Sequence, residues 1–401
     1  MRFPGFEGEW ESKKLGEIAQ FSKGKGISKA EIDENGKTEC IRYGELYTTY
    51  NEIIDTVISK TNTELSKLIL SEENDIIIPA SGETQIDIAT ASCVMKSGIA
   101  LGGDLNIIKT PLNGIFLSYY LNSKKKMEIA NLAQGISVVH LYSSQLSTLE
   151  ISYPSSQEQS KIAGFLSLCE TRIQQSSKII EGLQSFKDAV SKKIFSQELR
   201  FKDEHGNSFA DWEMKKMREV CNEHLLKNTM NLHNEVFSVA KHKGVINQIE
   251  HLGRSFSAKE ISHYKLIFQG DLVYTKSPTS DFPFGIIKQN RTNRTGVVSP
   301  LYCVFKPNTY ALGYLLHEYF NSSINTYNYL NPLVQKGAKN TMNINNNDFL
   351  HGAPLFIPTD EREQKKIAKF LSSIDEKIET EKQILKQYKN QKAYLLQNMF
   401  V

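Results

Sequence analysis

The feature that most constrains this chain is that it repeats itself. Glu158-Gln159-Ser160-Lys161-Ile162-Ala163-Gly164-Phe165-Leu166-Ser167 returns as Glu363-Gln364-Lys365-Lys366-Ile367-Ala368-Lys369-Phe370-Leu371-Ser372, at an offset of 205. The alignment runs without a gap to Lys187/Lys392 and Phe195/Phe400, with 12 identities over the 38 positions from Glu158 to Phe195. Pro154 and Pro358 precede the copies. The other end of the unit recurs as well. Trp10-Glu11-Ser12-Lys13-Lys14 returns as Trp212-Glu213-Met214-Lys215-Lys216, Glu17 as Glu219, and these motifs hold the only 2 tryptophans. Between the ends the halves diverge, leaving weak echoes such as Asp75 with Asp271 and Ser81 with Ser277. A chain of 401 residues built this way reads as two copies of one plan rather than one large core.

The recurring segment has the period of a paired helix. Ile162, Leu166, Cys169, Ile173, Ser176, Ile180, Leu183, Lys187, Val190 and Ile194 alternate spacings of four and three, a heptad seam. Ile367, Leu371, Ile374, Ile378, Glu381, Leu385, Tyr388, Lys392, Leu395 and Met399 repeat it. Proline is tolerated only at or before a first helical turn, so Pro154 and Pro358 mark the starts. The spacing predicts helices over 159–195 and 364–400, each roughly 55 Å long at ~1.5 Å per residue. An ordinary core-facing helix is the plain alternative; equal length and shared register favour pairing with each other. Polar seam residues, Ser176, Glu381, Lys187 and Lys392, cost stability and are expected to fix register.

The segments ahead of the helices read as mixed structure. Strands are expected at Asp75–Ile78, Ala100–Ile108, Asp271–Tyr274 and Gly296–Phe305, and helices at Gly114–Leu132 and Ala311–Leu330. Each segment is then a compact α/β or α+β domain. The boundaries divide the chain into domains 1–155 and 199–357 and helical spacers 156–198 and 358–401.

Several function classes lack their residues. There is no GxxxxGK[ST] phosphate loop, and Gly24-Lys25-Gly26 is a lone GxG. Ser299-Pro300-Leu301-Tyr302 lacks the second proline of an amino-methyltransferase box. Pro358-Thr359-Asp360 with Glu363-Gln364-Lys365 resembles a nuclease site superficially, but its carboxylates are too close in sequence and Ser160 stands where the first copy would need the lysine. His224, His233, His242, His251 and His263 lack metal-ligand spacing, and the 5 cysteines form no CxxC pair. No catalytic or metal set is expected, which favours a recognition or assembly role. The scattered thiols, the absence of a membrane-length apolar run and an N-terminus without a signal core point to a reducing cytoplasm.

Net charge is +3, and its distribution excludes a uniformly basic clamp. Residues 1–155 carry 15 basic and 20 acidic side chains, and residues 201–357 carry 17 and 13. Any DNA contact in the first half must come from a local patch or be helped by a partner. In the first half, Lys23, Lys25 and Lys29 lie in a glycine-rich loop whose amides would approach a phosphate, and Arg42 and Tyr43 suit base reading. A solvated loop and strand edge fits these residues equally well. In the second half the candidates are Lys241, His242, Lys243, Arg254, Lys276, Lys288, Arg291, Arg294, Lys336 and Lys339, with Gln289, Asn290 and Asn293 suited to adenine edges.

The repeated Pro…Glu-Gln-x-Lys-Ile-Ala-x-Phe-Leu segments resemble the conserved regions of type I restriction–modification specificity subunits. Trp10–Glu17 and Gln134-Gly135-Ile136-Ser137-Val138-Val139-His140-Leu141 are similar to motifs of the same family, and the resemblance covers essentially the whole chain. It implies an α+β fold: two similar target-recognition domains separated by two long helices packed as an antiparallel coiled coil, with pseudo-two-fold symmetry. Each domain would read one half of a bipartite double-stranded DNA target. The partners implied are two methyltransferase subunits and up to two restriction subunits; S-adenosylmethionine, ATP and magnesium would enter through them. Off the seam, Glu158, Gln159, Lys161 and Ala163, with Glu363, Gln364, Lys366 and Ala368, are the expected partner-binding residues. The segment ahead of Arg2-Phe3-Pro4 is shorter than the fuller family pattern. The rival readings are a coiled-coil scaffold with protein-binding domains and, against the missing methyltransferase box, a fused restriction–methylation enzyme.

Overall fold

Both heptad segments are helical, over Ser156–Phe195 and Glu361–Asn398, in a computed structural model that describes residues 2–135, 137–257, 259–336 and 342–400. Their buried positions follow the expected seam. Ile162, Leu166, Ser176, Ile180, Val190 and Ile194 are buried on the first helix, and Ile367, Leu371, Ile374, Ile378 and Leu395 on the second, with Met399 buried just past its end. Ile173 and Leu385 are half-buried.

The chain separates into two compact units, Met1–Lys178 with Glu381–Val401 and Ile179–Thr380. The division runs through both helices, whereas the sequence reading sets domains 1–155 and 199–357 apart from helical spacers 156–198 and 358–401. Each unit therefore owns the first part of one helix and the last part of the other. In the first unit, Ile162 and Leu166 share a core with Leu395, Met399 and Phe400, while Glu170 pairs with Lys392 at 2.7 Å. Advancing along one helix retreats along the other, so the two segments are antiparallel there. In the second unit Lys187 pairs with Asp375 at 2.6 Å, and Arg200, just past the first helix, meets Glu363 near the start of the second.

Around these segments the first unit builds a five-stranded sheet in the order Gln20–Lys23, Leu105–Lys109, Ile76–Pro79, Ser92–Val94, Ile53–Ile54. The helices Gly114–Ser123 and Lys126–Leu132 also lie in this unit. Ile76 to Pro79 are all buried, as the apolar run required. The second unit has a four-stranded antiparallel sheet, Cys221–Glu223, Cys303–Pro307, Leu272–Thr275, Ile286–Gln289, with helices Tyr310–Tyr319 and Ser323–Leu330. The expected long elements are interrupted. Ala100–Ile108 breaks around Gly102-Gly103, and the helix expected from Gly114 stops where the Ser123 hydroxyl bonds back to the Tyr119 carbonyl at 2.8 Å. The weak echo at Asp75 and Asp271 is structural. Each is buried one residue before its strand. Each carboxylate accepts the amide three residues back, from Glu72 and Phe268, both at 2.8 Å.

The identities off the seam face inward, which corrects their expected role. Glu158, Gln159, Ala163, Glu363, Gln364 and Ala368 are buried. Gln159 donates to the Pro154 carbonyl at 2.8 Å and accepts from the Asn113 amide at 2.9 Å, tying the strand-to-helix turn to the cap of helix Gly114–Ser123. Gln364 repeats this with the Pro358 carbonyl and the hydroxyl of Thr309, the cap of Tyr310–Tyr319, both at 2.9 Å. Glu158 receives a two-pronged guanidinium from Arg2, and Glu363 from Arg200. Phe3 meets Phe165 edge-on and Phe201 tilts against Phe370, with ring centroids 5.6 and 5.5 Å apart. Arg2-Phe3 thus recurs as Arg200-Phe201, an extension of the repeat that sequence comparison overlooked. Lys161 and Lys366 alone of these expected partner residues are exposed.

Gln159→Ala is expected to strip a buried amide and carbonyl of their partner and to lower unfolding free energy by about 1–3 kcal/mol. Lys161→Ala, at an exposed position, should stay within about 0.5 kcal/mol of the parent. Urea titration followed by circular dichroism checks both; equal stability of the two variants would contradict this assignment.

Candidate nucleic-acid interface

In the first unit the basic glycine loop is held by its own backbone. The Gly24 amide donates to the Leu105 carbonyl at 3.0 Å and the Lys25 amide to the Leu101 carbonyl at 2.9 Å. A Cβ on Gly24 would stand 2.0 Å from the Gly102 carbonyl oxygen, so glycine serves close strand packing. These two amides are therefore spent and do not cradle a phosphate, contrary to expectation. The lysines remain available: Lys23, Lys25 and Lys29 are exposed. The Lys23 ammonium lies 5.7 Å from the centroid of the Tyr142 ring, and Tyr142 stacks beside His140 with centroids 6.4 Å apart. His140 and Tyr142 are exposed. Sequence reasoning passed over them as contacts, although His140 sits within the Gln134–Leu141 motif and Tyr142 just after it. Arg42 and Tyr43 are half-buried where the short helix Tyr43–Thr48 begins; the Arg42 amide donates to the Glu45 carboxylate at 2.8 Å.

In the second unit the candidates divide. Lys241, His242 and Lys243 form the turn between strands Phe237–Ala240 and Gly244–Asn247, with His242 and Lys243 exposed. Lys241 pairs with Asp281. Arg254 is exposed, its guanidinium 4.5 Å from the Phe256 ring centroid, and Lys276 is half-buried in the loop after strand Leu272–Thr275. Lys336 is placed in the short strand Gln335–Lys336; Lys339 lies outside the described residues.

The densest expected patch, Lys288 to Arg294, is largely internal. Lys288 is 4% exposed, its amine on the Asn321 side-chain oxygen. Burial pushes its pKa down to about 8. Arg291 lies 4.0 Å from the Tyr314 ring centroid and pairs with Glu318 and, at 2.8 Å, Asp375. Gln289 and Asn290 are buried and bond backbone carbonyls, including those of Gly270 and Phe268. Arg294 pairs with Glu235 and Glu250 at 2.8 Å each. Composition suggested a DNA surface; Arg291 and Arg294 instead neutralise carboxylates of their own unit, and Lys288 is buried. His224 of the histidine series is buried, with Nδ1 3.3 Å from Asp271.

Residues 7–185 match the family described as type I restriction modification DNA specificity domain. The type I restriction enzyme MjaVIII specificity subunit of Methanocaldococcus jannaschii is 27% identical over 219 residues, 53% of this chain and 49% of that protein. The chain thus spans about half the length of the curated relative it matches. A type I restriction–modification S subunit from M. genitalium aligns over 100% of this chain and 99% of its own, at TM-score 0.63 and 15% identity. A structure concerned with complex assembly and conformational transition of the type I R-M system aligns over 98% of each chain, at TM-score 0.51 and 13% identity. These likenesses extend the fold over the second unit, beyond the residues the family match reaches.

Replacing Lys241, His242 and Lys243 with alanine should flatten the salt dependence of DNA binding by about one unit for each phosphate no longer neutralised, with stability unchanged. Arg291→Ala should cost about 3 kcal/mol of stability by leaving buried Glu318 and half-buried Asp375 with Lys187 as their one remaining cation among the described residues. It should leave the salt slope unaltered. Fluorescence anisotropy across a salt series, beside urea titration, separates the two; the reverse pattern would refute the division. The sign for Lys288 follows from its lowered pKa: between about 8 and its ordinary 10.5 the unfolded chain binds more protons than the folded one, so this group adds stability as pH rises through that window. Lys288→Met should lack that rise when stability is compared at pH 7.5 and pH 10, just below the window and near its upper end.

Proposed function

We propose that this chain is a type I restriction–modification DNA specificity protein, as its first half and its fold are similar to such proteins, and that each of its two units reads one half of a bipartite, asymmetric DNA target. The observation that carries this reading is the contrast between frame and face. The frame is duplicated residue for residue at Arg2/Arg200, Glu158/Glu363 and Gln159/Gln364. The exposed faces differ: Lys23, His140 and Tyr142 in one unit, the Lys241–Lys243 turn and Arg254 in the other. Phosphate contacts orient a protein on DNA whereas side chains at base edges select sequence. Two frames with unlike faces suit two unlike half-sites.

The chain contributes recognition and assembly, and the chemistry belongs to its partners. Two methyltransferase subunits bind it, and up to two restriction subunits complete the assembly, bringing S-adenosylmethionine, ATP and magnesium. Among the described residues no helix is long and apolar enough to cross a membrane.

Exchange of residues 1–155 for the corresponding domain of a relative should alter one half of the methylated motif and leave the other intact. Methylome sequencing of a host expressing the hybrid with its methyltransferase reads this directly. A change in both halves would refute independent reading, and methyl transfer by the purified chain alone would refute the division of chemistry.

A further inference from the structure

Once the buried identities are accounted for, one recurring surface remains without a role in folding. Strand Glu11–Lys14 pairs antiparallel with Glu150–Tyr153, and Glu213–Lys215 with Leu355–Ile357. Each ribbon carries the same ion pair on its surface: Lys13 with Glu11 at 2.6 Å, and Lys215 with Glu213 at 2.7 Å. The acids are 55% and 56% exposed. Pairs this exposed contribute little to stability, so folding does not account for their recurrence. The position between them has drifted freely. Ser12 bonds to the Ser152 hydroxyl, whereas its counterpart Met214 is 58% exposed opposite Phe356. Charges were kept while the intervening residue changed from a hydroxyl to an exposed thioether. Lys14 and Lys216, next in each ribbon, make no ion pair among the described residues.

We propose that each ribbon docks one copy of the same protein, at Glu11, Lys13 and Lys14 in the first unit and at Glu213, Lys215 and Lys216 in the second. The occupant is the methyltransferase subunit of the preceding section, so the inference rests on that reading. A patch presented twice by one chain is what two identical molecules require. The uncompensated lysines call for a carboxylate on the partner. The kept glutamates argue against DNA, because a phosphate beside Glu11 or Glu213 would be repelled.

The test is charge reversal in the full chain, Lys14→Glu, Lys216→Glu and both together, co-expressed with the methyltransferase subunit of the same system. Both lysines immediately precede a short helix, where a carboxylate is electrostatically tolerated, so circular dichroism should be unchanged. Native mass spectrometry should find two partner copies on the parent, one on each single variant and none on the double. The reversed site should be at least about tenfold weaker by titration. Two copies bound to the double variant with parental affinity would overturn the proposal. So would retention of both copies with a flattened salt dependence of DNA binding, which would make the ribbons phosphate contacts. A parent chain that binds no methyltransferase subunit would overturn the function proposed above, and this inference with it.

Discussion

Two lysines set into apolar seams govern much of this fold. Lys187 reaches Asp375 and Glu318 at 2.6 and 2.9 Å, and Lys392 reaches Glu170 and Glu52 at 2.7 and 2.9 Å. Glu170 and Asp375 stand at equivalent positions of the repeat, so one cross-helix ion pair is made twice, once inside each unit. A lone lysine there would be a largely buried charge with no compensation, a cost of several kcal/mol. Burial works against the charged form of Asp375, yet Lys187, Tyr314 and Arg291 together hold its pKa below the ordinary carboxylate range. Burial likewise opposes the charge on Lys392, and Glu52 and Glu170 hold its pKa above the ordinary value. Sliding either helix by one residue would separate both cross-helix pairs, Lys187 from Asp375 and Lys392 from Glu170. The pairs are therefore better understood as specifying register than as adding net stability. Glu318 and Glu52 come from the domain bodies, so the same lysines fix how each body meets its helices.

The second constraint is the corner where each domain hands the chain to its helix. A glutamine bonds the proline carbonyl of the turn and the cap of a domain helix, and a neighbouring glutamate holds the guanidinium of an incoming arm. The glutamine and the glutamate are buried in both copies, and changing either would leave an unpaired partner. Duplication followed by drift would preserve such a corner in both copies while freeing the loops that face outward. Trp212 donates to Glu363 at 3.0 Å, whereas the Trp10 indole has no hydrogen-bond partner among the described residues. Even the frame has drifted where a bond could be spared.

The helices were legible because periodicity survives substitution: buried seam positions follow the spacing of four and three from Ile162 to Ile194. The polar seam residues were recognised as costly, but their partners were not, since Glu318 and Glu52 lie in domains whose packing no periodicity reveals. The corner residues were misread for a related reason. Identity in two copies says that a residue is constrained, and it does not say whether the constraint faces inward or outward. Lys288 and Arg291 were misread because cations are ordinarily exposed; only tertiary packing places them against Asn321, Glu318 and Asp375. His140 and Tyr142 lay in or beside a motif already noted, but their neighbour Lys23 is remote in sequence, so the pairing was invisible before the fold was known.

These internal commitments change what the charge balance means. The excess of cations in residues 201–357 suggested the stronger DNA surface, yet Arg291 and Arg294 are bound to carboxylates of their own unit, Lys241 pairs with Asp281, and Lys288 is buried. In the acidic segment 1–155, by contrast, Lys23, Lys25 and Lys29 are exposed close together in sequence. Net charge per domain thus misjudges the charge that a phosphate would meet, because ion pairs cancel the field of their members beyond a screening length of about 8–10 Å. On the proposed function, non-specific attraction of the isolated chain to DNA rests on a few local cations. Sequence-independent affinity scales with the number of phosphates neutralised, so it would have to come largely from the proteins that join the chain, leaving its own faces to choose the bases.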